Sequence, residues 1–262
     1  MNLSIVVPAY NEEKRIGRTL EEYCKYFRGK KNELKSFEIL VVLNNCRDNT
    51  LEIVKEKKLK FKEIRYLNFQ QGGKGFAITE GFKDSLKRNN ELIGFVDADM
   101  ATDPEAFYEL VKNIGNYDGM IASRWLKESY IQDEQTFLRR VMSRAFNFIV
   151  KSLFLMNYQD TQCGAKLFKR RVIENASKKI YLTQWAFDVN LLYLCKIMGF
   201  KIKEQATKWR DQSQSKIDVV RAPLKMFTGI LRLRILYSPF RGVINLYDAL
   251  PEKIKLNHKL IR

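Results

Sequence analysis

An α/β fold, a mostly parallel sheet flanked by helices, is predicted by three observations. Over the first hundred residues, short β-branched runs alternate with segments of helical periodicity in the order β-α-β-α-β-α-β. The strands end in polar or glycine-rich loops. The run Ile93-Gly94-Phe95-Val96-Asp97-Ala98-Asp99 is apolar and stops on two acids. It reads as a buried parallel strand reaching the carboxyl edge, where open α/β sheets place their ligands.

In chain order, Leu3 to Val7 is the first strand, stopped by Pro8, and Asn11 is expected to cap a helix whose Ile16, Leu20, Cys24 and Phe27 share a face. Phe37 to Leu43 is the second strand, ending in the polar loop Asn44 to Thr50, and Leu51 to Val54 begin a second helix. Ile64 to Leu67 forms a third strand. Gln71-Gly72-Gly73-Lys74-Gly75 then opens a helix running through Phe82 and Leu86. These glycines mark either a plain turn or a start whose N–H groups and lysine approach a diphosphate; they lack the spacing of a P-loop or a dinucleotide fingerprint.

Beyond Asp99 the expected elements are a helix from Pro104 to Asn113, a short strand Gly119 to Ala122, and a long helix from about Thr136 to Leu155. Val141, Ala145, Phe148, Ile149 and Leu153 supply that helix with an apolar stripe. A strand through Leu167 and Phe168, a helix from Phe187 to Met198 and a last strand from Ile202 to Trp209 follow. Neither a low-complexity linker nor a repeat interrupts them, so residues 1–215 are expected to form one catalytic body.

Asp97 and Asp99, at i and i+2, would aim into one pocket if extended backbone persists to Asp99. Carboxylates this close repel unless a cation lies between them, and Mg²⁺ or Mn²⁺ takes hard oxygen ligands shared with phosphates. The pair therefore reads as a divalent-metal and diphosphate site. A plainer reading is a strand end followed by a helix start, since Asp103-Pro104-Glu105 places proline at a first helical position.

Composition narrows the function. The chain has 262 residues, 45% hydrophobic and 29% charged, enough for a large core, but its formal net charge of +17 calls for an acidic partner: nucleic acid, anionic lipid or a phosphorylated ligand. Four scattered cysteines lack paired spacing and point to free thiols in a reducing compartment. His258 is the only histidine, which excludes a Ser-His-Asp triad and a histidine-rich metal centre. The start enters a strand directly and no apolar window is long enough to span a bilayer, so a cytoplasmic protein, peripheral on the cytoplasmic face of a membrane, is expected.

Residues 216–262 differ in character. Leu224, Phe227, Ile230, Leu231, Ile235 and Phe240 sit among Arg221, Lys225, Arg232, Arg234 and Arg241, the composition of a helix lying in a membrane interface. A second amphipathic segment, Val243 to Leu250, precedes a lysine-rich tail. An anionic membrane surface is the partner this suggests; the alternative is a terminal helix packed on the protein's own core.

Taken in order, Val7-Pro8-Ala9-Tyr10-Asn11-Glu12, Gly73-Lys74-Gly75, Asp97-Ala98-Asp99, Ala122-Ser123-Arg124, Asp160-Thr161-Gln162-Cys163-Gly164-Ala165-Lys166-Leu167-Phe168 and Trp185-Ala186-Phe187-Asp188, with Trp209 and Ser215-Lys216 after them, resemble the family-2 inverting glycosyltransferases of the GT-A (Rossmann-like) fold. The likeness is to those that use dolichyl or another polyprenyl phosphate as acceptor, and most of all to their glucosyl-transferring members. The resemblance implies that Pro8, Tyr10, Asn11, Glu12, Asn44, Lys74 and Asp97 serve the donor nucleotide, and that Asp97 and Asp99 hold the metal. It implies that Arg124, Arg139 and Ser143 bind the acceptor phosphate, with Asp99, Arg124 and Arg139 as the catalytic set. Asp188 is either a sugar contact or a cap on the helix that follows it.

Two departures stand out. Leu43-Asn44-Asn45-Cys46 replaces the family's usual Asp-Asp-Gly-Ser, which leaves the amide of Asn44 to bind the base. Ala101 stands where related mannosyl enzymes carry glutamine, which favours UDP-glucose as donor over GDP-mannose; UDP-N-acetylglucosamine is a further alternative. A noncatalytic basic protein of a lipid surface or of nucleic acid is the competing class, but no nucleic-acid module is recognisable, and no nucleic-acid partner is expected.

Overall fold

The computed structural model describes residues 1–30, 32–132, 137–181, 186–210 and 221–244, without the side chains of 138, 139 and 221–225. Strands β1 (Asn2–Ala9), β2 (Ser36–Asn44), β3 (Ile64–Phe69) and β4 (Leu92–Phe95) are parallel, joined by helices α1 (Ile16–Arg28), α2 (Thr50–Lys60) and α3 (Lys74–Ser85). There follow α4 (Pro104–Asn113), β5 (Gly119–Ser123), β6 (Tyr130–Gln132), α5 (Phe137–Phe154), β7 (Lys166–Lys169), α6 (Arg170–Ala176), α7 (Phe187–Ile197), β8 (Ile202–Ala206), β9 (Lys208–Arg210) and α8 (Arg221–Leu236).

The main sheet runs β3-β2-β1-β4-β7-β5-β8, with β7 antiparallel to β4 and β5, so it is mostly parallel as expected. The central strands β1, β2 and β4 read as nearly continuous apolar runs because both faces are covered, whereas the edge strands β3 and β8 keep polar residues. Alternation sends Leu3, Ile5 and Val7 into one core layer with Leu20 and Phe27 of α1 and Phe107 of α4. Val6 points into the other layer, with Ile78 and Phe82 of α3, Phe154 of α5 and Leu191 of α7.

This winding creates a crevice. From β1 the chain moves outward through β2 and β3, then returns to the opposite side of β1 as β4. The carboxyl ends of β1 and β4 therefore flank a topological switch point, where ligands enter doubly wound sheets.

Several local expectations need correction. The last strand divides: β8 joins the main sheet, whereas β9 pairs with β6 in a two-stranded ribbon. Asn11 does not cap α1; Arg15 holds that position without a side-chain bond, and Asn11 sits at φ 54° with its Oδ1 accepting from the Arg47 N–H. Asp103 does cap α4, accepting from Ala106 N–H at 2.7 Å with Pro104 beside it, so the helix start and the Asp97/Asp99 strand exit are both present.

The stripe expected on α5 also splits, because Val150 and Phe154 face the core while Val141, Ala145 and Phe148 face outward. In α8 part of the apolar side packs on the core. Ile230 and Leu233 are buried in the second core layer, and Tyr237 Oη donates to Asn190 Oδ1 at 2.7 Å. Phe227 and Leu231 remain exposed, so α8 has an inward and an outward apolar face. Residues 245–262, which hold most of the second amphipathic segment and the lysine-rich tail, lie outside the described residues.

Candidate active site

Three non-glycine residues with positive φ stand at the carboxyl rim: Asn11 after β1, Asn45 after β2 and Met100 after β4. Asparagine tolerates left-handed backbone, so it is Met100, just after the paired acids, whose conformation local propensity does not explain.

At the exit of β1, Pro8 is buried within the strand and Tyr10 is exposed. The Glu12 carboxylate accepts two bonds from Arg15, at 2.7 and 2.8 Å, while its N–H donates to Thr50 Oγ1. Burial pushes the Glu12 carboxyl above its ordinary pKa; the Arg15 bonds oppose this, and the charges of Asp99 and Asp97 add to it. Glu12 thus stands within electrostatic range of both acids.

Asn44, expected to reach the base, is only 3% exposed. Its Nδ2 donates to Ala9 O at 2.8 Å and its Oδ1 accepts from Gly73 N–H at 3.0 Å. The amide therefore braces the end of β1 against the glycine turn, a task that aspartate, with no N–H to donate, would not fulfil.

The extended backbone that would aim both acids the same way does not persist to Asp99: the strand stops at Phe95, although Val96 N–H still bonds to Val6 O. A turn carries the acids instead, and they remain close enough to interact. Burial first, and then the charge of Asp97, raise the Asp99 pKa, partly offset by the Ala101 N–H that donates to Oδ1 at 3.0 Å. Lys74, the first residue of α3, sets its Nζ 2.5 Å from Asp97 Oδ1. On the other side Gly164 packs so tightly that a Cβ there would lie 1.9 Å from Asp97 Oδ2.

These donors suit a divalent cation. Both are hard oxygen ligands, and the half-buried Asp99, beside Asp97, is held where its own charge is disfavoured. Among the described residues no cluster of three or more acids, histidines or cysteines exists, so the remaining coordination would come from phosphate and water.

Arg124 follows β5 and forks onto Asp160, Nε to Oδ2 at 2.6 Å and Nη2 to Oδ1 at 2.9 Å. Its guanidinium lies 5.3 Å from the Trp209 ring and is close enough for Asp97 to influence it. The paired acids and this arginine therefore share one rim. Arg144 of α5 lies 5.3 Å from the Trp125 ring, which brings α5 beside the same loop. Ser143 on that helix is half-buried, one turn from Arg139, whose side chain lies outside the described residues, as do Trp185, Ser215 and Lys216.

Asp188 does not cap α7, where Ala186 occupies the N-cap without a side-chain bond. Its Oδ1 instead accepts from Lys166 Nζ at 2.5 Å. Lys166 is fully buried on β7, also donating to Cys163 O and lying 5.3 Å from the Phe95 ring. The functions of Asp160 and Lys166 are not read from the sequence alone, although a lysine inside an apolar strand signals a buried partner. A groove of about 640 Å³ opens at the amino ends of β1 and β2, far from these residues, and its two acids are already paired, Glu38 with Arg88 and Glu63 with Arg28.

The mostly parallel, helix-flanked sheet with paired acids at its carboxyl rim has the GT-A-like fold of glycosyltransferases. The chain belongs to glycosyl transferase family 2, whose model matches residues 4–176. It is 32% identical over 246 residues to a dolichyl-phosphate beta-glucosyltransferase of Dictyostelium discoideum, covering 90% of this chain and 74% of that protein. The human protein of the same name is 30% identical over 247 residues, covering 90% and 75%. In fold it resembles the glucosyl-3-phosphoglycerate synthase of Mycobacterium tuberculosis solved with Mn²⁺, UDP and glucosyl-3-phosphoglycerate, at a TM-score of 0.65 and 15% identity over 89% of this chain and 79% of that one.

Proposed function

We propose that this chain transfers glucose, with inversion, from UDP-glucose to dolichyl or another polyprenyl phosphate, giving a β-linked lipid-phosphate sugar for glycosylation. The observation that carries the reading is that Asp97, Asp99, Lys74 and Arg124 gather at one rim of one sheet. Support for the sugar and acceptor comes from relatives at 30% and 32% identity whose names state both.

In this reading Asp97 and Asp99 hold Mg²⁺ or Mn²⁺, which would act as Lewis acid and template for the departing diphosphate. Pro8, Tyr10, Asn11, Glu12 and Lys74 line the nucleotide side, and Asn44 supports them from beneath. A phosphate monoester with a second pKa of about 6 is largely dianionic at neutral pH, so its oxygen attacks the anomeric carbon without a protein base. The new bond to that carbon forms as its bond to the diphosphate breaks, and the electron pair leaves with the nucleoside diphosphate. In-line attack turns an α-linked donor into a β-linked product.

What the residues must do is hold two anions that repel. Arg139 and Ser143, one helical turn apart, are assigned to the acceptor phosphate together with Arg124. With the Nε and Nη2 edge of Arg124 on Asp160, a phosphate contact would come through Nη1. Asp188, whose Oδ1 is held by Lys166, is the proposed sugar contact.

Residues 1–215 are proposed as the catalytic part, with 216–262 adding α8 and the basic tail. No helix among the described residues is long and apolar enough to cross a membrane. Attachment is proposed as peripheral, through the outward apolar residues of α5 and α8 and the neighbouring arginines, on an anionic surface. All four cysteines are free thiols, which suits the reducing cytoplasmic side.

The test is a panel of UDP-glucose, UDP-N-acetylglucosamine and GDP-mannose with polyprenyl phosphate and Mn²⁺ or Mg²⁺, scored for lipid-linked product. Product from UDP-glucose that disappears with a chelator and in Asp99→Asn is expected. Product from GDP-mannose and none from UDP-glucose would overturn the donor assignment.

A further inference from the structure

Lys74 and Asp97 form an ion pair at 2.5 Å that is not sealed in the core, since their side chains are 38% and 34% exposed. Gly164 packs against the other oxygen of Asp97, Oδ2, where even a Cβ would not fit. Asp99 has its Oδ1 engaged by Ala101 N–H, and no third acid, histidine or cysteine among the described residues completes a cluster.

A divalent cation arriving by itself would meet one carboxylate already neutralised by an ammonium group. It would also find two protein carboxylates where about six oxygens are usual. A diphosphate changes both conditions, supplying oxygens to the cation and a second anion to the ammonium. Lys74 is placed for that exchange: it is the first residue of α3, directly after Gly73 at φ 125°, and a helix start favours anions.

Resting on the reading that a divalent ion and a nucleoside diphosphate meet at these acids, we infer that Lys74 is a stand-in cation. It occupies Asp97 until a diphosphate arrives and so makes metal binding depend on nucleotide binding. Coupling of this kind is reciprocal, so the ion tightens the nucleotide by the same factor. A site built this way disfavours the free ion and takes up the ion and diphosphate together.

Titration calorimetry of Mn²⁺ into the full chain, with and without saturating UDP, tests this on the wild type, Lys74→Met and Lys74→Arg. In the wild type, UDP should tighten Mn²⁺ binding by about tenfold or more. Lys74→Met should bind Mn²⁺ alone about tenfold more tightly than the wild type, with a smaller gain from UDP. Lys74→Arg retains a cation and should keep the wild-type pattern. Melting curves by circular dichroism establish that both variants are folded, as the exposed site predicts. If wild type and Lys74→Met bind Mn²⁺ alone equally and show the same gain from UDP, the inference fails while the metal site stands. If no protein binds Mn²⁺ even with UDP, the metal reading and the inference fail together.

Discussion

The guanidinium of Arg124 and the carboxylate of Asp160 meet in a two-bond fork, 2.6 and 2.9 Å, with both side chains largely buried. Asp160 Oδ1 also accepts the N–H groups of Gln162 and Cys163, so this single carboxylate ties the loop before β7 to the exit of β5.

Removing the acid would leave Arg124 buried and uncompensated. Asp160→Ala should cost roughly 3–5 kcal/mol of stability, read from denaturant unfolding. The pH dependence has a definite sign. Burial works to raise the Asp160 pKa, but the charge and bonds of Arg124 and the backbone N–H groups hold it below the ordinary value. The stabilisation it brings is fully present above the unfolded-state pKa of about 3.9 and is lost as pH falls through the depressed folded value. Wild type should therefore lose stability on acidification over that window, and Asp160→Asn should show a flatter profile. An unchanged slope in the variant would count against the pair as the source.

Gly164 touches Asp97 from behind, and a methyl group there would stand 1.9 Å from Oδ2. No rotamer relief is available on the glycine side, because the new atom is a Cβ, so Asp97 must move. Gly164→Ala should lower sugar transfer by roughly a hundredfold or more, in proportion to the misplaced carboxylate. The secondary structure by circular dichroism should stay intact. Wild-type turnover in this variant would mean that the position of Asp97 is not critical.

These two contacts mark where the sequence is legible and where it is not. Strands β1, β2 and β4 read plainly because they are buried on both faces, which leaves nearly unbroken apolar runs. The rim position of Asp97 and Asp99 follows from the same pattern. By contrast, β6 and β9 have three residues each, too few for periodicity to register. The partners Arg124–Asp160 and Lys166–Asp188 lie 36 and 22 residues apart, and no local rule pairs them. Asn44 illustrates a third case: its residue type suggests a base contact, while burial turns its amide inward to Ala9 and Gly73. On α5 the periodicity identifies apolar residues without saying which of two faces meets the core.

Arg139 and Ser143 stand four apart at the start of α5, the helix that reaches the Arg124 loop through Arg144 and Trp125. If Arg139 holds the acceptor phosphate, its loss removes a charged hydrogen bond to one substrate and not the other. Arg139→Ala should raise the KM for lipid phosphate roughly tenfold or more and leave that for UDP-glucose within about twofold. Initial rates with each substrate varied in turn decide this, and equal rises in both constants would refute the assignment.

The outward side of α5 carries Phe137, Val141 and Phe148, with Leu155 just beyond its end, at 79%, 46%, 69% and 78% exposure. Arg144 stands on the same exposed side. An apolar ridge edged by cations suits the headgroup boundary of an anionic membrane, where each buried apolar side chain contributes about 1.5–3 kcal/mol. Truncation at residue 215 is a poor test of attachment, because it also strips Ile230 and Leu233 from the core. Val141→Glu with Phe148→Glu changes only outward positions and should shift folding stability by no more than about 1 kcal/mol. Flotation with anionic vesicles should show at least roughly tenfold weaker binding of the double variant, and the part of the defect that persists at high salt, where repulsion of the two added carboxylates is screened, measures the lost apolar contact. Lipid binding equal to wild type would remove α5 from the membrane contact and leave it to α8 and the basic tail.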